Sequence, residues 1–169
     1  MPSQTSPEGS PGASGIRAIL YGGGLAGTLD IVAAFVFFGL RGVTPIQILQ
    51  SIASGLFGLD SFKGGLRTAA VGLVLQFFIA TTAAAVYYAA SRRLEFLWRG
   101  PVAAGALYGV AVYFFMNFLV VPLSNVPKQP LVLSVAAAVL AIHIFCVGLP
   151  IALSVRRFAP RRLPRSPTS

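Results

Sequence analysis

Four polar side chains stand in stretches where almost everything else is hydrocarbon: Asp30, Gln76, Asn117 and His143. An acid, an imidazole and two amides can build a proton relay, a solute pathway or a buried hydrogen-bond network. A carboxylate alone in the hydrocarbon centre of a bilayer costs about 2.5 to 3.5 kcal/mol on insertion scales, so Asp30 requires a partner or a proton. His143 is the titratable group at its depth, tyrosines and Cys146 aside. The expectation is an Asp30 and His143 pair supported by Gln76 and Asn117. Such a pair is either ionised or shares a neutral hydrogen bond, since desolvation and mutual attraction push in opposite directions. As a purely structural network it fixes which helices pair; as a pathway it carries a proton or a small solute.

The elements that position these groups follow from composition. The chain has 169 residues, 56% of them hydrophobic and 10% charged, with a mean hydropathy of +0.79, whereas soluble domains carry about 25% charged residues. Lipid rather than water is the implied solvent. Between Arg17 and Arg41 lie 23 residues with one charge, Asp30, and between Arg67 and Arg92 lie 24 with none. Gly100 to Pro127 and Gln129 to Val155 contain no Asp, Glu, Lys or Arg, and a transmembrane helix needs roughly 20 predominantly apolar residues. The predicted fold class is an all-α membrane protein, a bundle of four transmembrane helices at about 18–40, 68–90, 101–121 and 131–155. Each helix contributes one of the four polar residues, and at 1.5 Å per residue all four fall within roughly 10 Å along the membrane normal.

Helical phase turns two of them inward. Three and four residues back from Asp30 lie Gly27 and Ala26, then Gly23; forward lie Ala33 and Ala34. Gln76 has Ala69, Gly72, Ala80 and Ala83 at the same spacings. Small residues at this period let another helix approach closely, so Gly23, Gly27 and Gly72 are expected at helix contacts.

The stretch "AILYGGGLAG" spells a G-x-G-x-x-G over Gly22, Gly24 and Gly27. A dinucleotide turn needs a strand before it, an amphipathic helix after it and an acidic residue about 20 positions on. Here the surroundings are apolar on all sides and the next acid beyond Asp30 is Asp60. The glycines read as packing, and no cofactor is expected.

"TPIQILQSIASGLFG", between the first two spans, is an amphipathic helix over 45–57. Thr44 is its N-cap, with Pro45 at the first helical position and Gln47 completing a capping box. Gln47, Gln50, Ser51 and Ser54 fall in one arc. Too short to cross, this helix is expected in the outer interface or tucked back between the spans as a lid. Pro122 is expected to close the third span, and Pro150 to kink the fourth.

Residues 1–15, rich in Pro, Ser and Gly, read as a disordered lead and 158–169 as a disordered basic tail, leaving 16–157 as the transmembrane domain. The lead lacks the positive region of a cleavable signal peptide, so the first span is expected to be retained. Arg17, Arg92, Arg93, Arg99, Arg156, Arg157, Arg161, Arg162 and Arg165 share one side; Arg41, Lys63, Arg67 and Lys128 share the other. Basic residues stay cytoplasmic, which places both termini inside. The net charge of +9 is then a topology signal with affinity for anionic lipid, not a nucleic-acid interface. One cysteine and one histidine leave no intrachain disulfide and no zinc ligand set.

The glycine-rich first helix with its acid, the "TPIQILQSIASGLFG" connection, "PLS" closing the third span and "HIFCVGLPIAL" followed by arginines resemble small bacterial four-helix inner-membrane proteins of unknown function, among them the YagU-like group. The resemblance covers the order of elements over about 16–157. It implies a multi-pass location in the bacterial inner membrane and says nothing of chemistry. Similarity to small multidrug transporters is architectural only: this chain carries Asp30 where they carry a glutamate, adds the amphipathic helix and is strongly biased in charge. No enzyme is expected, because Ser134 lies nine residues outward of His143 and Ser54 sits in the connection, whereas a nucleophile must reach its base. Two functions stay open. One is a structural or accessory membrane subunit that binds the lipid bilayer and a second copy or a partner protein. The other is a proton-linked or small-solute transporter using Asp30 and His143, with the amphipathic helix as outer gate and Tyr108 or Tyr113 along the route.

Overall fold

The computed structural model describes residues 11–127 and 132–158. Four helices in it are long and apolar enough to cross a membrane. The helices are α1 (Pro11–Gly39), α2 (Pro45–Phe57), α3 (Gly65–Ser91) and α4 (Glu95–Arg99), then α5 (Pro101–Leu123) and α6 (Leu133–Phe158). No strand occurs among the described residues. The fold is therefore an all-α bundle whose spans are α1, α3, α5 and α6.

Helix α1 begins earlier than the sequence suggests: residues 11–15, assigned above to the disordered lead, form its first turns. Gly15 explains part of this, since it lies directly against the Tyr88 ring of α3. Phe158, assigned to the tail, is the last residue of α6 and stacks on Tyr21 at 4.8 Å between ring centroids. The rest of the lead and of the basic tail lies outside the described residues.

Glycines set the spacing of the bundle. A Cβ at Gly23 would stand 2.5 Å from the Cα of Thr81, and one at Gly27 2.9 Å from the Phe77 ring, so α1 and α3 touch nearly backbone to backbone. On the other side of α1, Gly22 faces Ile151 and Ser154 of α6. A third seam joins α5 to α6: Gly105 and Gly109, one helical turn apart, receive Gly148, whose own Cβ would overlap the Gly105 carbonyl. This G-x-x-x-G contact was readable in "GALYG" and absent from the small-residue positions picked out above.

Both spans that contain a late proline change their winding just before it. Met116–Val120 and His143–Gly148 are π-helical, the N–H of Val121 reaching back to the Met116 carbonyl and that of Leu149 to the Ile144 carbonyl. Pro122 and Pro150 follow immediately. A proline offers no N–H to the carbonyl four residues back and its ring crowds that carbonyl; a widened turn relieves both. Pro122 consequently sits within the last turn of α5 and does not end it.

Helix α2 has the capping box in full: the Thr44 hydroxyl accepts from the Gln47 N–H at 3.3 Å and the Gln47 side chain accepts from the Thr44 N–H at 2.9 Å. Its placement differs from an interfacial helix with its polar arc in water. Gln50 is 4% and Ser54 1% exposed, while Ile46, Leu56 and Phe57 are exposed. The buried side is docked on α3, where Gly72 meets the Leu49 carbonyl and Gln50 donates to the Gly65 carbonyl at 3.0 Å. Gln50 turns inward because the open carbonyl and hydroxyl of the Gly65–Thr68 turn supply hydrogen bonds that lipid does not, whereas the Ser54 hydroxyl donates to the Ser51 carbonyl of its own helix at 2.6 Å. Beyond α2, a short 3-10 turn (Gly58–Lys63) carries an exposed Asp60 and Lys63 pair at 2.7 Å. The lysine's hydrogen bond and charge hold the Asp60 carboxyl below its usual range.

Candidate functional site

The deepest polar contact between spans joins α1 to α3. Gln76 Nε2 donates to Asp30 Oδ2 at 2.7 Å and lies 3.4 Å from the Gly27 carbonyl. Both residues are half-buried. The contact exists because Gly27 and Ala80, facing each other one turn away, let the two backbones close up beside it, and because the glutamine side chain bridges the remaining gap. A carboxyl in hydrocarbon thereby obtains one donor from a neighbouring helix.

The other two members of the expected network are elsewhere. Asn117 is exposed and donates to the Tyr113 carbonyl of its own helix at 2.9 Å. Matching residues by depth ignores rotation: the buried side of α5 runs through Ala104, Gly105 and Gly109, and the π turn from Met116 shifts the phase again. The pair expected between Asp30 and His143, ionised or neutral, is not formed: Asp30 bonds to Gln76, and the described salt bridges are Lys63–Asp60 and Arg99–Glu95. His143 Nδ1 lies 2.9 Å from the Val139 carbonyl one turn back, and the ring packs edge-on against Tyr113 at 5.7 Å. The antiparallel register that sets Gly22 beside Ile151 and Ser154 carries Asp30 to the level of the π turn, so His143 shares the depth of Asp30 without sharing its hydrogen bond.

Polar contacts at the end of the bundle that carries α4 involve residues other than the four picked out by type and spacing. Tyr87, 0% exposed, donates to the Leu97 carbonyl of α4 at 2.8 Å, and Tyr108 donates to the Ala83 carbonyl of α3 at 2.7 Å. The two rings meet edge to face at 5.0 Å. Tyr108 is thus a tie between α5 and α3, its hydroxyl spent. The Trp98 indole N–H is enclosed with no hydrogen-bond partner. A tyrosine near a span end reads from sequence as an interfacial anchor, so this signal was too generic to single out Tyr87.

Known proteins add nothing here. No family model matches the sequence, and no curated protein or solved structure is similar to it. The function has to be argued from the geometry. Among the described residues no group of three His, Cys, Asp or Glu side chains could hold a metal ion, and Asp30, Gln76 and the remote His143 form no ligand set. What the site can do chemically is accept one strong hydrogen bond at mid-depth and fix the register of α1 on α3.

Proposed function

We propose that the protein is a structural or accessory subunit of the bacterial inner membrane, a multi-pass protein with both termini cytoplasmic, whose buried polar contact specifies packing. The observation that supports this reading most is the local closure of its mid-depth hydrogen bonds. Asp30 is met by Gln76, whereas Asn117 and His143 turn to carbonyls of their own helices. A proton route requires polar groups or water linked from one side to the other, and these three contacts are separate. No catalytic residue is part of the proposal. The inner-membrane location rests on the resemblance of the element order and on the basic loops.

Reconstitution tests it. Liposomes containing the purified protein and an internal pH dye are given an external acid pulse with valinomycin and potassium to clamp the potential. The expected trace matches empty liposomes. Acidification that is faster with the wild-type protein and abolished by Asp30→Asn would overturn the proposal in favour of the transporter.

A further inference from the structure

The seam between α3 and α5 is built unlike the other seams of the bundle. At its inner end the helices are tied by Tyr108 to the Ala83 carbonyl. At its outer end, α2 on α3 is tied to the chain beyond α5, Asn125 donating through Nδ2 to the Leu56 carbonyl at 2.9 Å and through its backbone N–H to the Gly55 carbonyl at 3.1 Å. The Tyr108 tie itself forms part of the wall of a cleft of about 490 Å³, which Phe78, Thr82 and Val86 line on one side and Ala111, Phe115 and Val120 on the other. The Thr82 hydroxyl is spent on the Phe78 carbonyl. The cleft therefore offers an incoming molecule only hydrocarbon.

Its shape selects the occupant. A transmembrane helix with side chains is about 10–12 Å across and some 30 Å long, too large for this volume. On α3 the cleft runs eight residues from Phe78 to Val86, about 12 Å, and on α5 nine residues from Ala111 to Val120, about 14 Å, so it reaches from the connection side of α3 past the middle of α5. That suits a single slender chain entering sideways from the inner leaflet. Immediately below lies the α3–α5 connection, with Arg92, Arg93 and Arg99 against one acid, Glu95, all exposed. Leu94 and Phe96 are exposed beside them, apolar contacts suited to the headgroup boundary. A net charge of +2 under an apolar cleft complements a molecule with a negative head and a hydrocarbon tail.

We propose that the α3–α5 cleft binds one acyl chain of an anionic phospholipid, whose phosphate rests on the Arg92, Arg93 and Arg99 connection. The test is native mass spectrometry of the protein released from nanodiscs containing phosphatidylglycerol and phosphatidylcholine of matched chains. The wild type should retain one phosphatidylglycerol in preference to phosphatidylcholine by roughly thirtyfold, the effect of two arginines near a surface. Arg92→Gln with Arg93→Gln should abolish the preference and keep the binding of one lipid of either kind. Ala111→Trp should reduce retention of both lipids. Ala111 and Val86 are exposed, so a bulky side chain at either is compatible with folding, and Val86→Trp repeats the test should Ala111→Trp fail to fold. Equal retention of the two lipids by the wild type, or unchanged retention in both tryptophan variants, would overturn the proposal and leave ordinary boundary lipid. A cross-linked dimer that Ala111→Trp dissolves would overturn it in favour of a second copy.

Discussion

At the scale of single residues, Asp30 and Gln76 are not equivalent halves of their bond. Removing Gln76 leaves a half-buried carboxyl with no donor from a neighbouring helix, and a polar group held out of water without its partner costs about 1–3 kcal/mol. Removing Asp30 leaves the Gln76 amide near the Gly27 carbonyl at 3.4 Å, so only an interhelical hydrogen bond is lost, about 0.6 kcal/mol on average in membranes. Asn at 30 still offers an oxygen to Gln76. Unfolding midpoints in one mild detergent should therefore fall most for Gln76→Leu, slightly for Asp30→Leu and hardly for Asp30→Asn, and adding Asp30→Leu to Gln76→Leu should recover part of the loss. If Asp30→Asn falls as far as Gln76→Leu, the charge and not the acceptor holds α1 to α3. Sequence gives each polar residue a position along its span, because that position is a count of residues along a helix. It did not reveal which of them meet: that depends on rotation, which small-residue phase fixed for Asp30 and Gln76 and which the π turns obscured for Asn117 and His143.

At the scale of helices, the glycine seams divide into positions with room and positions without. Gly148 receives the Gly105 carbonyl and Gly109 the His143 carbonyl and Ile144 Cα, while nothing lies within 4 Å of a Cβ at Gly24. Backbone cannot move aside as a flexible side chain does, so Gly148→Ala and Gly109→Ala should each cost about 1–3 kcal/mol or more. Gly24→Ala should be neutral or slightly stabilising, since alanine is the better helix former by about 1 kcal/mol. Equal midpoints for all three variants would mean that α5 and α6 do not touch at this seam. The span positions and the α2 capping box were legible because hydropathy, length and a Thr44, Pro45, Gln47 spacing are local signals. The π turns were not, since a proline in a span announces a disturbance without saying whether the backbone kinks or widens. Nor was the inward turn of Gln50, which depends on the carbonyl that α3 happens to present at Gly65.

For the whole molecule the open variable is orientation. Four spans bring residues 17 and 156 to one side, and the α3–α5 connection is on that side as well. Arg17, Arg92, Arg93, Arg99, Arg156 and Arg157 then face Arg41, Lys63 and Arg67 across the bilayer, all within short loops or near span ends where basic charge directs insertion. The bias predicts one orientation, with α2 and its Asn125 tie facing outward and the proposed phospholipid site in the inner leaflet. Single-cysteine labelling reads it directly in a Cys146→Ser background: Leu59→Cys, exposed beyond α2, should react with a membrane-impermeant maleimide in intact cells, and Ser14→Cys only after permeabilisation. Reaction at both positions in intact cells would mean dual insertion, and the reverse pattern would turn the arginines outward. Either result would also remove the basic α3–α5 connection from the cytoplasmic leaflet in some or all copies, so the same experiment decides which leaflet must supply the anionic lipid.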